Sequence, residues 1–129
     1  MANTVVQRTL LGGGSDKNIV RLIHIISDGT EETDLVFYDN SAFVGDVSKG
    51  KLLRVQACGS AALCRLEFDQ TADSPIVSFD PSGGIDMDFT CFGGVVNPAA
   101  TGATGDIVLT TAALDVADEI TIILHIGQN

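Results

Sequence analysis

The chain has 129 residues, 45% of them hydrophobic, which suits one domain around one core. Seven Lys and Arg against 17 Asp and Glu give a formal charge of −10. That balance disfavours nucleic acid as a direct partner, because phosphate binding needs basic side chains, and it disfavours anionic membrane surfaces.

Taken along the chain, strand patterns dominate and no window holds a sustained helical stripe with caps. Val5 to Leu11 alternates in part, with Gln7 and Thr9 opposite Val6, Arg8 and Leu10. The run GGGSDK, Gly12 to Lys17, ends it. This run lacks the G-K-[ST] ending of a phosphate loop and is expected to be a turn. Ile19 to Ile26 is nearly all apolar and rich in β-branched residues, as in a central strand covered on both faces.

Next comes SDGTEETD, with carboxylates at Asp28, Glu31, Glu32 and Asp34. Its spacing does not fit an EF-hand loop. Asp-Gly between two strand-like runs instead reads as the solvent-facing tip of a hairpin. A Ca²⁺ here would need another loop to share it.

Leu35 to Tyr38, Lys51 to Cys58, Ala62 to Phe68 and Pro75 to Phe79 follow as strands. In the third run of this group, Cys64, Leu66 and Phe68 oppose Arg65 and Glu67. Ile85 to Phe89 turns Ile85, Met87, Phe89 and Cys91 inward, and Asp86, Asp88 and Thr90 outward. Asn97 to Asp106 is small and polar and reads as a long surface loop, followed by a strand from Asp106 to Thr111. Glu119 to Ile126 alternates most clearly: Ile120, Ile122, Leu124 and Ile126 share one face, and Glu119, Thr121 and His125 the other. RLIHIIS and ITIILHIGQ are expected to pair as neighbours.

Eight or nine short strands joined by Gly, Asn, Asp and Pro turns imply an all-β, single-domain sandwich over residues 1–129, jelly-roll-like. Residues 1–8 could extend from it as an N-terminal arm.

No chemistry-bearing motif stands out. His24 and His125 lie inside apolar strands and read as hydrogen-bonded sheet histidines; G-x-S-x-G is absent. Asp86 and Asp88 share a strand face and read as exposed acids, since Trp is absent and Tyr38 is the sole Tyr, which leaves few platforms for a sugar. Cys58, Cys64 and Cys91 read as reduced, buried thiols; a Cys58–Cys64 disulfide would require a hairpin. No enzyme activity, cofactor or metal is expected. No apolar run approaches the ~20 residues that cross a bilayer. MANTVVQRTLL lacks the pattern of a secretory signal, so folding in a cytosol is expected.

The stretches VVQRTLLGGGSDKNIVRLIHIISDGTEETDLVFYDNSAF, LEFDQTADSPIVSFDPSGGIDMDF and NPAATGATGDIVLTTAALDVADEITIILHIGQN resemble small virion proteins of tailed bacteriophages. In particular the chain resembles head decoration, or capsid cement, proteins. The resemblance covers nearly the whole chain and rests on overall texture. It implies a non-enzymatic protein on the capsid exterior, assembled in the host cytoplasm. Its partners would be the major capsid protein and copies of itself, trimers ahead of dimers. The contact residues expected on this reading are Val5, Val6, Gln7 and Arg8 of the arm and Asp28, Glu31 and Glu32 of the acidic turn. A neighbour would cover the second face of Ile19 to Ile26. Two other readings stand beside it: another virion part (tail, neck or fibre-associated), and a carbohydrate-binding jelly-roll module.

Overall fold

The computed structural model describes residues 3–11, 18–40, 50–98 and 101–128. The strands are β1 (Thr4–Leu11), β2 (Asn18–Asp28), β3 (Leu35–Tyr38), β4 (Gly50–Gly59), β5 (Leu63–Phe68), β6 (Ser74–Phe79), β7 (Ile85–Asp88), β8 (Val95–Val96), β9 (Ile107–Ala112) and β10 (Val116–Gln128). A 3-10 turn, Thr90–Phe92, lies between β7 and β8. The expected count of eight or nine is exceeded by the two-residue β8, too short for any periodicity to reveal. The turn expected at Gly12 to Lys17 lies outside the described residues.

The strands form two antiparallel sheets, ordered β1-β2-β10-β4-β7, with β8 also on β4, and β3-β9-β5-β6. Set β1 and β8 aside and the orders 2-10-4-7 and 3-9-5-6 are those of a jelly roll, in which the chain repeatedly crosses from one sheet to the other. The domain is therefore an all-β sandwich. RLIHIIS and ITIILHIGQ do lie side by side, Ile23 opposite Ile122 and Ile25 opposite Ile120.

Alternation explains the core. Ile19, Ile23 and Ile25 of β2 and Ile120, Ile122, Leu124 and Ile126 of β10 are all buried. They meet Phe37, Leu66, Phe68 and Leu109 of the smaller sheet. Arg21 is the inward exception on β2. Its guanidinium donates to Phe37 O (3.2 Å), Thr9 Oγ1 (2.9 Å) and Gln7 Oε1 (2.8 Å), closing the sandwich beside β1. A partly buried cation needs such acceptors to offset its lost hydration.

Several expectations change once the crossings are known. β2 is central in its sheet, but only one of its faces meets the core; Val20, Leu22 and His24 are half-buried and Ile26 is exposed. From Thr4 onward the expected arm is an edge strand of the chain's own sheet, paired from Thr4 opposite Ile26 to Leu11 opposite Val20. Asp28 to Asp34 is no hairpin tip, because β2 and β3 belong to different sheets; it is a corner between them. The link from β4 to β5 crosses in the same way. Cys58 and Cys64 therefore sit on different sheets, and both are free thiols. Only Cys64 is buried, which pushes its thiol up to about 12. Cys58 and Cys91 are exposed, the latter because the 3-10 turn breaks the strand period after Asp88.

Candidate binding surface

The larger sheet buries one face and leaves the other open. Directly opposed residues in antiparallel strands share a face, so the register maps the open one. Val6, His24, Thr121 and Cys58 form one row across β1, β2, β10 and β4. Arg8, Leu22, Ile123, Gln56 and Asp86 form the next, reaching β7. Val20, His125, Arg54 and Asp88 form a third.

The β1–β2 side of this face is largely apolar, interrupted by exposed Thr4 and Arg8 and half-buried His24. Val6 is 47% exposed, Leu10 42% and Ile26 38%, beside half-buried Val20, Leu22 and Ile123. The β4–β7 side is polar. The Arg54 guanidinium donates through Nε to Asp86 Oδ1 (2.7 Å) and through Nη2 to Oδ2, a bidentate ion pair. This pairing holds the Asp86 carboxyl below the usual range and raises Arg54. Asp88 accepts from the Thr90 backbone N–H (2.8 Å) and hydroxyl (2.5 Å), which likewise lowers it, the hydroxyl contributing most.

The His125 ring shares a 2.9 Å hydrogen bond with Gln56 Oε1 through Nε2. Burial, then the nearby Arg54 charge, depresses its pKa from the ordinary 6.5; Asp86 and Asp88 pull the other way. His24 Nδ1 bonds Thr121 Oγ1 at 2.9 Å. Both imidazoles are thus sheet histidines with side-chain partners, as expected. Along the third row lies a cleft of about 240 Å³ lined by Val20, Leu53, Arg54, Asp88, Thr90 and His125. It joins an apolar floor to a carboxylate, a guanidinium and an imidazole that is neutral near pH 7. Such a mixture serves hydrogen bonding and orientation.

The expected contact residues divide. Val6 and Arg8 lie on the open face. Val5 and Gln7, one residue out of phase, point the other way. Val5 packs against the core, and Gln7 donates from Nε2 to Val36 O at 3.0 Å while accepting from Arg21. The acids of the corner are engaged within the chain. Asp28 Oδ1 accepts from the Thr30 N–H and hydroxyl. The Glu31 carboxylate accepts from the Leu114 N–H (3.1 and 3.2 Å) and the Thr111 hydroxyl. Glu32 Oε1 accepts from Asn3 Nδ2 at 3.1 Å. The corner faces solvent, with Gly29, Thr30, Glu31, Thr33 and Asp34 exposed, but it is pinned to Asn3 at the start of β1, to β9 and to the β9–β10 connection. Asp88, Thr90 and His125 read as outward on their strands, but nothing in the sequence singles out the cleft residues Val20, Leu53 and Arg54. Only the cross-strand register of β2, β10, β4 and β7 joins them.

No family model matches the chain, and no curated protein matches it. Among solved structures, a chain described as "CBM4 structure and function" is similar at 13% identity with a TM-score of 0.33, over 85% of this chain and 80% of that one.

Proposed function

We propose that this chain is a non-enzymatic virion structural protein that binds the outside of a tailed-phage capsid as a decoration protein and bridges major capsid subunits. The observation that supports this reading is the apolar half of the open sheet face. A jelly roll needs one face of each sheet for its core, and the other normally turns polar side chains to water. Here Val6, Leu10 and Ile26 are exposed in line with Val20, Leu22 and Ile123, and a charged border of Arg54, Asp86 and Asp88 flanks them. An exposed, largely apolar patch that carries Arg8 and borders charged residues on its β4–β7 side has the mixed composition of a protein interface. A symmetric homo-oligomer, trimer or dimer, would repeat the contact and turn modest site affinity into firm retention.

The test is to mix purified protein with expanded capsids that lack it. Saturable co-sedimentation, together with a raised capsid melting temperature, is expected. Absence of saturable binding overturns the reading. Placement of the chain in tail, neck or fibre density of intact virions would support the neighbouring virion role instead.

A carbohydrate-binding role is favoured by one observation. The cleft gathers Arg54, Asp88, Thr90 and His125, and Phe92, two residues past Thr90, is 65% exposed. Hydrogen-bonding side chains over an apolar floor suit a small polar ligand such as a sugar ring, although Phe92 does not line the cleft itself. Specific signal on a glycan array would move the assignment there.

A further inference from the structure

Glu67 carries an unexpected burial. It lies on the outer face of the smaller sheet, on β5, with Val108 of β9 on one side and Pro75 of β6 on the other. By alternation it is a polar, outward residue, yet it is only 9% exposed. Among the described residues no hydrogen-bond donor or ion-pair partner reaches its carboxylate, and the one ion pair, Arg54–Asp86, is on the opposite sheet. Two further carboxylates face it instead. Asp34 and Asp73 each place an oxygen so that all three lie within 4.8 Å of one another.

The chain holds all three in place. Asp34 sits at the end of the acidic corner with φ +50, and its N–H donates to the Thr110 hydroxyl at 3.1 Å. Asp73 closes the β5–β6 turn, and its Oδ1 accepts from the Gln70 N–H at 3.1 Å. Arg65, two residues back on β5, attracts Glu67 electrostatically without pairing to it.

We propose that Asp34, Glu67 and Asp73 form a binding site for one hard divalent cation of the Ca²⁺ class. Ca²⁺ takes oxygen ligands at about 2.3–2.6 Å, so two oxygens on one ion stand at most ~5 Å apart. The three oxygens, all within 4.8 Å of one another, satisfy that limit. Three carboxylates leave room for waters to complete a shell of six to eight, on the exposed Asp34 side. The cation removes a cost that the bare site carries. Burial raises Glu67 above the ordinary carboxylate range, Arg65 pulls it down, and the Asp73 and Asp34 charges push it up. It also ties the β2–β3 corner to the β5–β6 turn, on the face away from the apolar surface. The site is therefore independent of what that surface binds.

The experiment uses the full chain, stripped with EDTA and titrated with CaCl₂ alone by calorimetry, with melting temperatures measured in parallel. One saturable site is expected, with a Kd on the order of 10⁻⁵–10⁻³ M. At about 100-fold excess over Kd the melting temperature should rise by roughly 5–10 °C. Glu67→Gln and Asp34→Asn should each weaken binding by at least about 10-fold, as loss of one charged ligand implies. Asp115→Asn, at an exposed acid elsewhere, should bind as the parent does. Glu67→Gln should also melt no lower than the parent in EDTA, because it removes like-charge repulsion, yet gain little from Ca²⁺. If Glu67→Gln fails to fold, the exposed Asp34→Asn carries the test. No saturable binding below about 10 mM, beyond the weakest protein sites of this kind, overturns the proposal. So does parent-like affinity in the Asp34 variant.

Discussion

Replacing Val6, Leu10 and Ile26 together by Thr tests the apolar surface at its most exposed points. Thr keeps a β-branched or strand-compatible shape, so β1 and β2 should pair as before. Full burial of a Val, Leu or Ile side chain stabilises by about 1.5–3 kcal/mol. Only the part still in water can be gained on docking, and that part is 47%, 42% and 38% for the three residues. The recoverable sum is roughly 2–4 kcal/mol per copy. Losing it should weaken a single site by roughly 25- to 600-fold, and more when a symmetric oligomer repeats the contact. The assay is a co-sedimentation isotherm on expanded capsids, with the melting temperature of the free protein as control. Exposed substitutions of this kind should change stability by no more than about 0.5 kcal/mol each. A variant that binds within about threefold of the parent, at an unchanged melting temperature, would refute the assignment of this face.

Two further outcomes follow from the same sheet. Gly59 has φ +133, and a Cβ there would stand 2.2 Å from Glu119 O and 2.9 Å from Ile120 Cα, so Gly59→Ala must open the β4–β10 pairing; it should cost about 2–5 kcal/mol in urea unfolding, and a loss under about 1 kcal/mol would contradict the close approach. His125 is harder to protonate folded than unfolded, so its contribution is complete above the ordinary 6.5 and is lost as pH falls from there towards its lower folded value. Melting temperatures of parent and His125→Gln, compared between about pH 7 and pH 5, should show the parent falling more steeply; parallel curves would contradict the depressed imidazole.

Much of the sandwich was legible because period two states which residues share a face. Ile120, Ile122, Leu124 and Ile126 read as one buried row and are one. The two histidine strands paired as read, since each carries a long β-branched run suited to the sheet centre. Partner choice was less legible. Asp-Gly after Ile26 has the chemistry of a hairpin, but the same residues also serve a corner that crosses between sheets, and local φ preference cannot tell the two apart. The segment faces solvent as read, with Glu31 and Asp34 exposed, but the long-range partners of its acids were not legible. Glu31 also accepts the Leu114 N–H, a partner 83 residues away. The alternation that set Gln7 and Thr9 against Val6 and Arg8 holds in the register of β1. What they faced depended on whether those residues formed an arm or an edge strand.

Glu67 shows where period-two reasoning stops. Alternation assigns a residue to the inside or outside of its own sheet, and Glu67 is outside, opposite Leu66 and Phe68. Burial on an outer face depends on what other segments lay across it, here the end of the β2–β3 corner and the β5–β6 turn. Asp34 and Glu67 are far apart in sequence and meet only because β3, β9 and β5 are adjacent in one sheet. Three carboxylates gathered this way repel one another, and in a chain already carrying −10 nothing in the local spacing favours such an arrangement. The physical ground for assigning the acids a cation is Glu67 itself, 9% exposed and reached by no hydrogen-bond donor among the described residues, with Asp34 and Asp73 oxygens within 4.8 Å of its own.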